Sequence, residues 1–205
     1  MKKICSLKDK FEIAINPAVS DVLDAASAAD VFVVEDYPKT GVNFVDISSI
    51  FLQPKVFKNQ IEAMKRLILT TLSQAANYQY DYILGIESRG FLYASVLSYE
   101  LGIPLVLVRK KGKLPRNTVS AGYEKEYGTD YLEITTDDIA PNSSVLIVDD
   151  VLATGGTLEA VARLLKSEFK VKQVSALVAY LLDGLVKESL FEVMDEVMML
   201  SSLRA

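Results

Sequence analysis

The chain has 205 residues, a single cysteine, no histidine and a formal net charge of −5. That length fits one domain, and a 50% hydrophobic content is enough for a sizeable core. Without histidine there is neither a histidine triad nor a histidine metal site. One cysteine, Cys5, excludes an internal disulfide framework and fits a reducing cytoplasm. The acidic balance argues against a general nucleic-acid binder, and apolar runs such as Ala176 to Leu182 are far too short for a membrane helix. Lys8-Asp9-Lys10 interrupts any signal-like apolar region, so no secretory leader is expected.

Residues 1–35 are expected to form an N-terminal extension and the start of a hood, with a helix over Pro17 to Ala29 and a short strand over Val31 to Val34. That extension reads equally as a brace, an interface element or a plain surface addition. Tyr82 to Ile86 reads as a strand, Glu87-Ser88-Arg89-Gly90 as a tight loop, and Phe91 to Leu101 as a helix stopped by Gly102 and Pro104. Leu105 to Val108 is the next buried strand. The basic run Arg109-Lys110-Lys111-Gly112-Lys113 follows; it is too short, and too poor in interleaved aromatics, for a nucleic-acid patch. Val145 to Val148 is a continuous apolar run, as in a strand buried on both faces. Leu158, Val161, Ala162 and Leu165 share one helical face. Near the end, Glu188 to Leu200 could form another helix, with Leu190, Val193, Met194 and Val197 on one side, or end in a strand, and the sequence leaves both open. Two strand-loop-helix units imply an α/β fold: an open, mainly parallel sheet flanked by helices, with ligands beyond the carboxyl ends of the strands.

The most informative segment lies between Val148 and Leu158. Asp149 and Asp150 are followed, after Val151 and Leu152, by Ala153-Thr154-Gly155-Gly156-Thr157. The glycines let the backbone turn sharply and approach a ligand. The amides of Thr154 to Thr157 then stand at a helix N-terminus, where free N–H groups and the helix dipole favour an anion. Carboxylates are poor phosphate ligands but good acceptors for sugar hydroxyls, and they suit the periphery of a Mg²⁺ site. No lysine follows the glycines, which excludes a nucleotide-triphosphate P-loop. Arg89, in a glycine-flanked turn, has the fork geometry that suits a pyrophosphate.

This block resembles the phosphoribosyl-pyrophosphate signature of type I phosphoribosyltransferases. Glu87-Ser88-Arg89-Gly90-Phe91 resembles the pyrophosphate loop of the adenine phosphoribosyltransferase subfamily in particular. Three more segments fit that subfamily: the basic stretch Arg109 to Pro115, the stretch Glu124 to Ile134 as its flexible catalytic loop and following strand, and Asp36 to Ile47 as its base-binding hood. The resemblance runs from about Asp36 to about Asp183. It implies one phosphoribosyltransferase domain over 36–183 with a flexible loop near 110–130, completed by 184–205.

The implied reaction is Mg²⁺-dependent transfer of 5-phosphoribose to adenine, giving AMP and pyrophosphate. By resemblance, Asp149 and Asp150 hold the ribose hydroxyls, and Ala153, Thr154, Gly155, Gly156 and Thr157 hold the 5′-phosphate. Arg89 reaches the pyrophosphate, as does Lys113, with Arg109 a further candidate; the Arg109 to Lys113 region of such enzymes lies at a dimer interface and can reach the neighbouring copy's pyrophosphate site. Glu126 exchanges a proton with the base and Tyr127 moves with the closing loop. Asn43, Val45 and Val151 contact the base. Mg²⁺ is held mainly by substrate and water near the acid pair, with no direct protein cage. A cytoplasmic homodimer is implied, with neither nucleic acid nor membrane as a partner. The sequence departs from the subfamily at Val45, where an arginine is usual between Phe44 and Asp46, and at Asn43, where an aliphatic residue is common. Those departures leave a 6-oxopurine transferase as one alternative; another, independent of them, is a non-catalytic regulator that keeps the fold as a sensor of phosphoribosyl pyrophosphate.

Overall fold

The computed structural model describes residues 31–37, 40–41, 44–74, 79–125 and 128–204. Two short strands, β1 (Phe32–Val34) and β2 (Phe44–Asp46), pair antiparallel with Val33 opposite Val45. A helical turn, α1 (Ser48–Phe51), leads into the long helix α2 (Pro54–Gln74). Proline suits the first position of α2, since its missing N–H would have had no partner inside the helix. The sequence reading had not foreseen this helix. Then come β3 (Tyr82–Ile86), α3 (Gly90–Leu101), β4 (Leu105–Lys110), β5 (Thr118–Lys125), β6 (Gly128–Thr135), β7 (Ser144–Leu152), α4 (Gly156–Ser167), β8 (Gln173–Asp183) and β9 (Glu196–Arg204).

The main sheet has seven strands in the order β5-β6-β4-β3-β7-β8-β9. From β4 through β3, β7 and β8 to β9 every pairing is parallel, while β6 runs antiparallel to β4 and β5 antiparallel to β6. The expected open, mainly parallel sheet is present, with an antiparallel hairpin on one edge. From β3 the chain moves to β4 on one side and later returns to β7 on the other. The order therefore reverses between β3 and β7, and a crevice opens there at the carboxyl ends of the strands.

Strand residues alternate between the faces of the sheet. Leu84, Ile86, Val145 and Ile147 point to the α4 face, where they meet Leu158, Val161, Ala162 and Leu165. Ile83, Leu146 and Val148 point to the other face, against Ile61, Met64 and Ile68 of α2 and Tyr93, Ala94 and Leu97 of α3. Both faces are covered, which is why β7 reads as a continuous apolar run. On the α2–α3 face a fully buried Gln60 joins three elements. Its amide nitrogen donates to the Tyr180 hydroxyl at 2.7 Å, and its amide oxygen accepts from the Tyr93 hydroxyl at 2.7 Å. Burial pushes the Tyr93 hydroxyl far above its ordinary pKa.

Several local expectations need amendment. β4 is not buried throughout: Leu107 is 38% exposed, because this strand lies toward the hairpin edge. Much of 110–130 is strand, β5 pairing with β6 from Thr118↔Thr135 to Lys125↔Gly128. The run from Glu188 is not one helix. It makes a short 3₁₀ turn (Glu188–Glu192) and then β9, which pairs with β8 along its length. Leu190 and Met194 are buried as expected, but Val197 is only half-buried, as a strand residue packed on the α4 face. The expected helix over Pro17 to Ala29 lies outside the described residues.

Candidate active site

Alternation along β7 separates the two acids. Asp150 follows Val148 onto the α3 face, while Asp149 follows Ile147 onto the α4 face. β7 continues past both to Leu152, so the acids lie within the strand rather than beyond its end. Asp150 is 4% exposed, and its Oδ2 stands 2.7 Å from Arg89 Nε. Arg89 caps the start of α3 across the crevice. Its Nη1 donates to the Val45 carbonyl at 3.3 Å, and its guanidinium lies 5.2 Å from the Phe44 ring centre. One arginine thus joins the first crevice loop, the acid of β7 and the small sheet β1–β2.

Asp149 lines a different space. With the run Val151 to Leu158 it encloses a pocket of about 100 Å³. Its carboxyl is held well above the usual carboxylate range, first by burial and then by the charge of Asp150; the Asp150 backbone N–H (2.9 Å to Asp149 Oδ1) and Arg89 offset this in part. The floor of the pocket is the turn before α4. Gly155 takes φ +87°, and a Cβ there would come within 2.9 Å of Leu190. Only glycine fits that position without strain. The turn is further tied down by Lys187 N–H donating to the Thr154 carbonyl at 3.0 Å. Gly90 lies equally close: a Cβ there would fall 2.7 Å from the Val148 carbonyl, so α3 begins directly against β7.

The sequence-predicted residues therefore fall into groups. Arg89, Asp150 and Val45 are in one cluster, and Asp149, Val151, Ala153, Thr154, Gly155, Gly156 and Thr157 line the adjoining pocket. Lys113 stands apart, exposed, on the turn after β4. Asn43, Glu126 and Tyr127 lie outside the described residues. Phe44, Glu87 and Glu133 were not singled out from the sequence. Phe44 lies in the Asp36 to Ile47 hood segment, yet nothing local in the sequence announces that its ring lies beside Arg89. Among the described residues no cluster of three or more histidine, cysteine or acidic side chains forms a metal cage. Two carboxylates at the crevice fit a cation whose remaining ligands come from substrate and water. No helix among the described residues is long and apolar enough to cross a membrane.

This geometry can be set beside known proteins. Residues 46–192 match the phosphoribosyl transferase domain. The chain belongs to the phosphoribosyltransferase family. Within that family it stands with the adenine phosphoribosyltransferases. It is 46% identical to that of Yersinia pseudotuberculosis over 133 residues, 65% of this chain and 67% of the relative. The Acetivibrio thermocellus relative is 44% identical over 133 residues, covering 65% of this chain and 74% of that one. Among solved phosphoribosyltransferases, the Saccharomyces cerevisiae adenine enzyme superposes with a TM-score of 0.80 at 33% identity, covering 88% of this chain and 99% of that one. That structure holds an imino-altritol bisphosphate and adenine.

Proposed function

We propose that this protein is an adenine phosphoribosyltransferase of purine salvage, transferring 5-phosphoribose from phosphoribosyl pyrophosphate to adenine N9 and releasing pyrophosphate. The observation that carries the reading is the pairing of Arg89 with Asp150 across the strand-order reversal, beside the glycine-turn pocket under Asp149. The pocket offers backbone N–H groups at a helix start for the 5′-phosphate. Asp149 and Asp150 accept the ribose hydroxyls. Arg89 exchanges its present partners for pyrophosphate oxygens, joined by Lys113. Val45 and Val151 flank the base together with Asn43. Glu126 takes up or returns the proton at adenine N7, and Tyr127 moves with closure, which keeps water from the activated ribose. Mg²⁺, held near Asp149 and Asp150, would supply charge neutralisation at the pyrophosphate.

A homodimer is part of this reading. Leu92 and Tyr99, one heptad apart on α3, are 45% and 86% exposed, an apolar stripe that a second copy would cover. The compartment proposed is the cytoplasm, which suits a chain with one cysteine.

The test is to offer the pure protein phosphoribosyl pyrophosphate, Mg²⁺ and each of adenine, hypoxanthine, guanine and xanthine. AMP alone is the expected product. IMP or GMP would mean that Val45, in place of the usual arginine, has retuned the hood; no nucleotide from any base would overturn the enzyme reading.

A further inference from the structure

The turn after β4 is held by a buried carboxylate. Glu133 of β6 is 4% exposed. Its Oε1 accepts the backbone N–H groups of Lys113 and Leu114, each at 2.9 Å, and its Oε2 accepts the Thr118 hydroxyl at 3.4 Å. Burial alone would raise this carboxyl, but backbone donors from Leu114, Gly112 and Lys113, with Thr118, hold it below its ordinary value. Among the described residues no cation pairs with Glu133. The chain buries a full negative charge and offsets it with a nest of turn amides.

A second carboxylate grips the other end of the same turn. Glu87 Oε2 accepts the Lys110 backbone N–H at 3.0 Å and Arg109 Nε at 3.3 Å, and Arg109 Nη1 donates to the Lys113 carbonyl at 2.9 Å. Glu87 opens the loop that carries Arg89. A continuous set of bonds therefore runs from β6, through the turn, to Glu87, two residues before the arginine of the crevice. A plain solvent-exposed turn needs no buried charge at its centre. What the arrangement fixes is the position of Lys113, whose side chain is left exposed.

We infer that Glu133 is a positioning residue for the pyrophosphate end of phosphoribosyl pyrophosphate, fixing the place of Lys113 by gripping the turn amides. The inference rests on the proposed assignment of Arg89 and Lys113 to the pyrophosphate. A residue that only supports the fold would lower thermal stability and leave the folded protein's affinity alone; a positioning residue changes affinity through Lys113.

The experiment is a double-mutant cycle read by calorimetric titration with phosphoribosyl pyrophosphate and Mg²⁺, on wild type, Glu133→Gln, Lys113→Ala and the double variant, with melting curves to establish folding. Lys113→Ala is expected to weaken binding about tenfold and Glu133→Gln about fivefold, as expected when one charge-assisted hydrogen bond is removed or displaced. The double variant is expected to bind no more weakly than Lys113→Ala alone. In turnover assays the effect falls on KM rather than kcat. Additive effects, or unchanged binding by Glu133→Gln, would overturn the inference. Unchanged binding by Lys113→Ala would instead remove Lys113 from the proposed site, and the inference with it. If Glu133→Gln does not fold, Thr118→Val enters the same cycle. It frees Oε2 without removing the charge, and it should weaken binding about twofold only while Lys113 is present.

Discussion

Asp149 and Asp150 are adjacent in sequence but differ in their surroundings. Asp150 has its arginine, while Asp149 has its carboxyl raised, first by burial and then by its neighbour. A carboxyl with a raised pKa in the folded state is a burden once ionised. The burden is absent below the unfolded pKa, grows as pH rises toward the folded value, and is complete above it. Asp149→Asn should therefore melt roughly 2–4 °C higher than wild type near neutral pH, and the difference should shrink as pH falls toward about 4. The same variant should lose transferase activity, since an amide is a poorer acceptor for a sugar hydroxyl. Differential scanning calorimetry across pH checks the first half; a pH-independent difference would show that charge is not its cause. Little of this was legible in the sequence. The acid pair is read in the sequence as a sugar site, but only strand alternation and the position of α3 decide which acid meets Arg89.

The glycine turn shows how one element constrains another. The sequence marked Gly155 as a place where backbone approaches ligand. The structure adds that its other side presses on Leu190, in the 3₁₀ turn before β9. That turn is fastened to α4 from outside as well, Ser189 Oγ donating to Glu159 Oε2 at 2.8 Å while Arg163 holds Oε1. Gly155→Ala meets both a left-handed φ and the Leu190 side chain, so it should cost about 1–3 kcal/mol in urea unfolding. It should also weaken phosphoribosyl-pyrophosphate binding through displacement of the Thr154 to Thr157 amides. A variant as stable and as tight as wild type would refute that packing. The parallel strands and α3 were readable because buried runs and stop signals are local. The Glu188 to Leu200 segment was not: its apolar spacing fits a helix as well as a strand, and pairing with β8 decides between them. Glu133 escaped notice for a related reason, since its partners stand about twenty residues earlier in the chain.

At the scale of the molecule, α3 carries two burdens. Its N-terminal end presents Arg89 to the crevice, and its outer stripe carries Leu92 and Tyr99. If that stripe is the face between two copies, Tyr99→Lys should shift the protein toward monomer in sedimentation equilibrium, because a charge would be placed in an apolar interface. A wild-type protein that sediments as a monomer at micromolar concentration would remove the dimer from the proposal. The α3 helix also bears on how the crevice empties. Asp150 is an intramolecular competitor for Arg89, tethered at close range and never diluted away. In the proposed reading, where Arg89 takes the pyrophosphate, an incoming pyrophosphate group gains only the difference between its own grip on the guanidinium and that of Asp150. The same carboxylate stands ready to recapture the arginine when product dissociates. If the proposed assignment of Arg89 holds, a site built in this way accepts weaker capture of its substrate in return for release of a highly charged product.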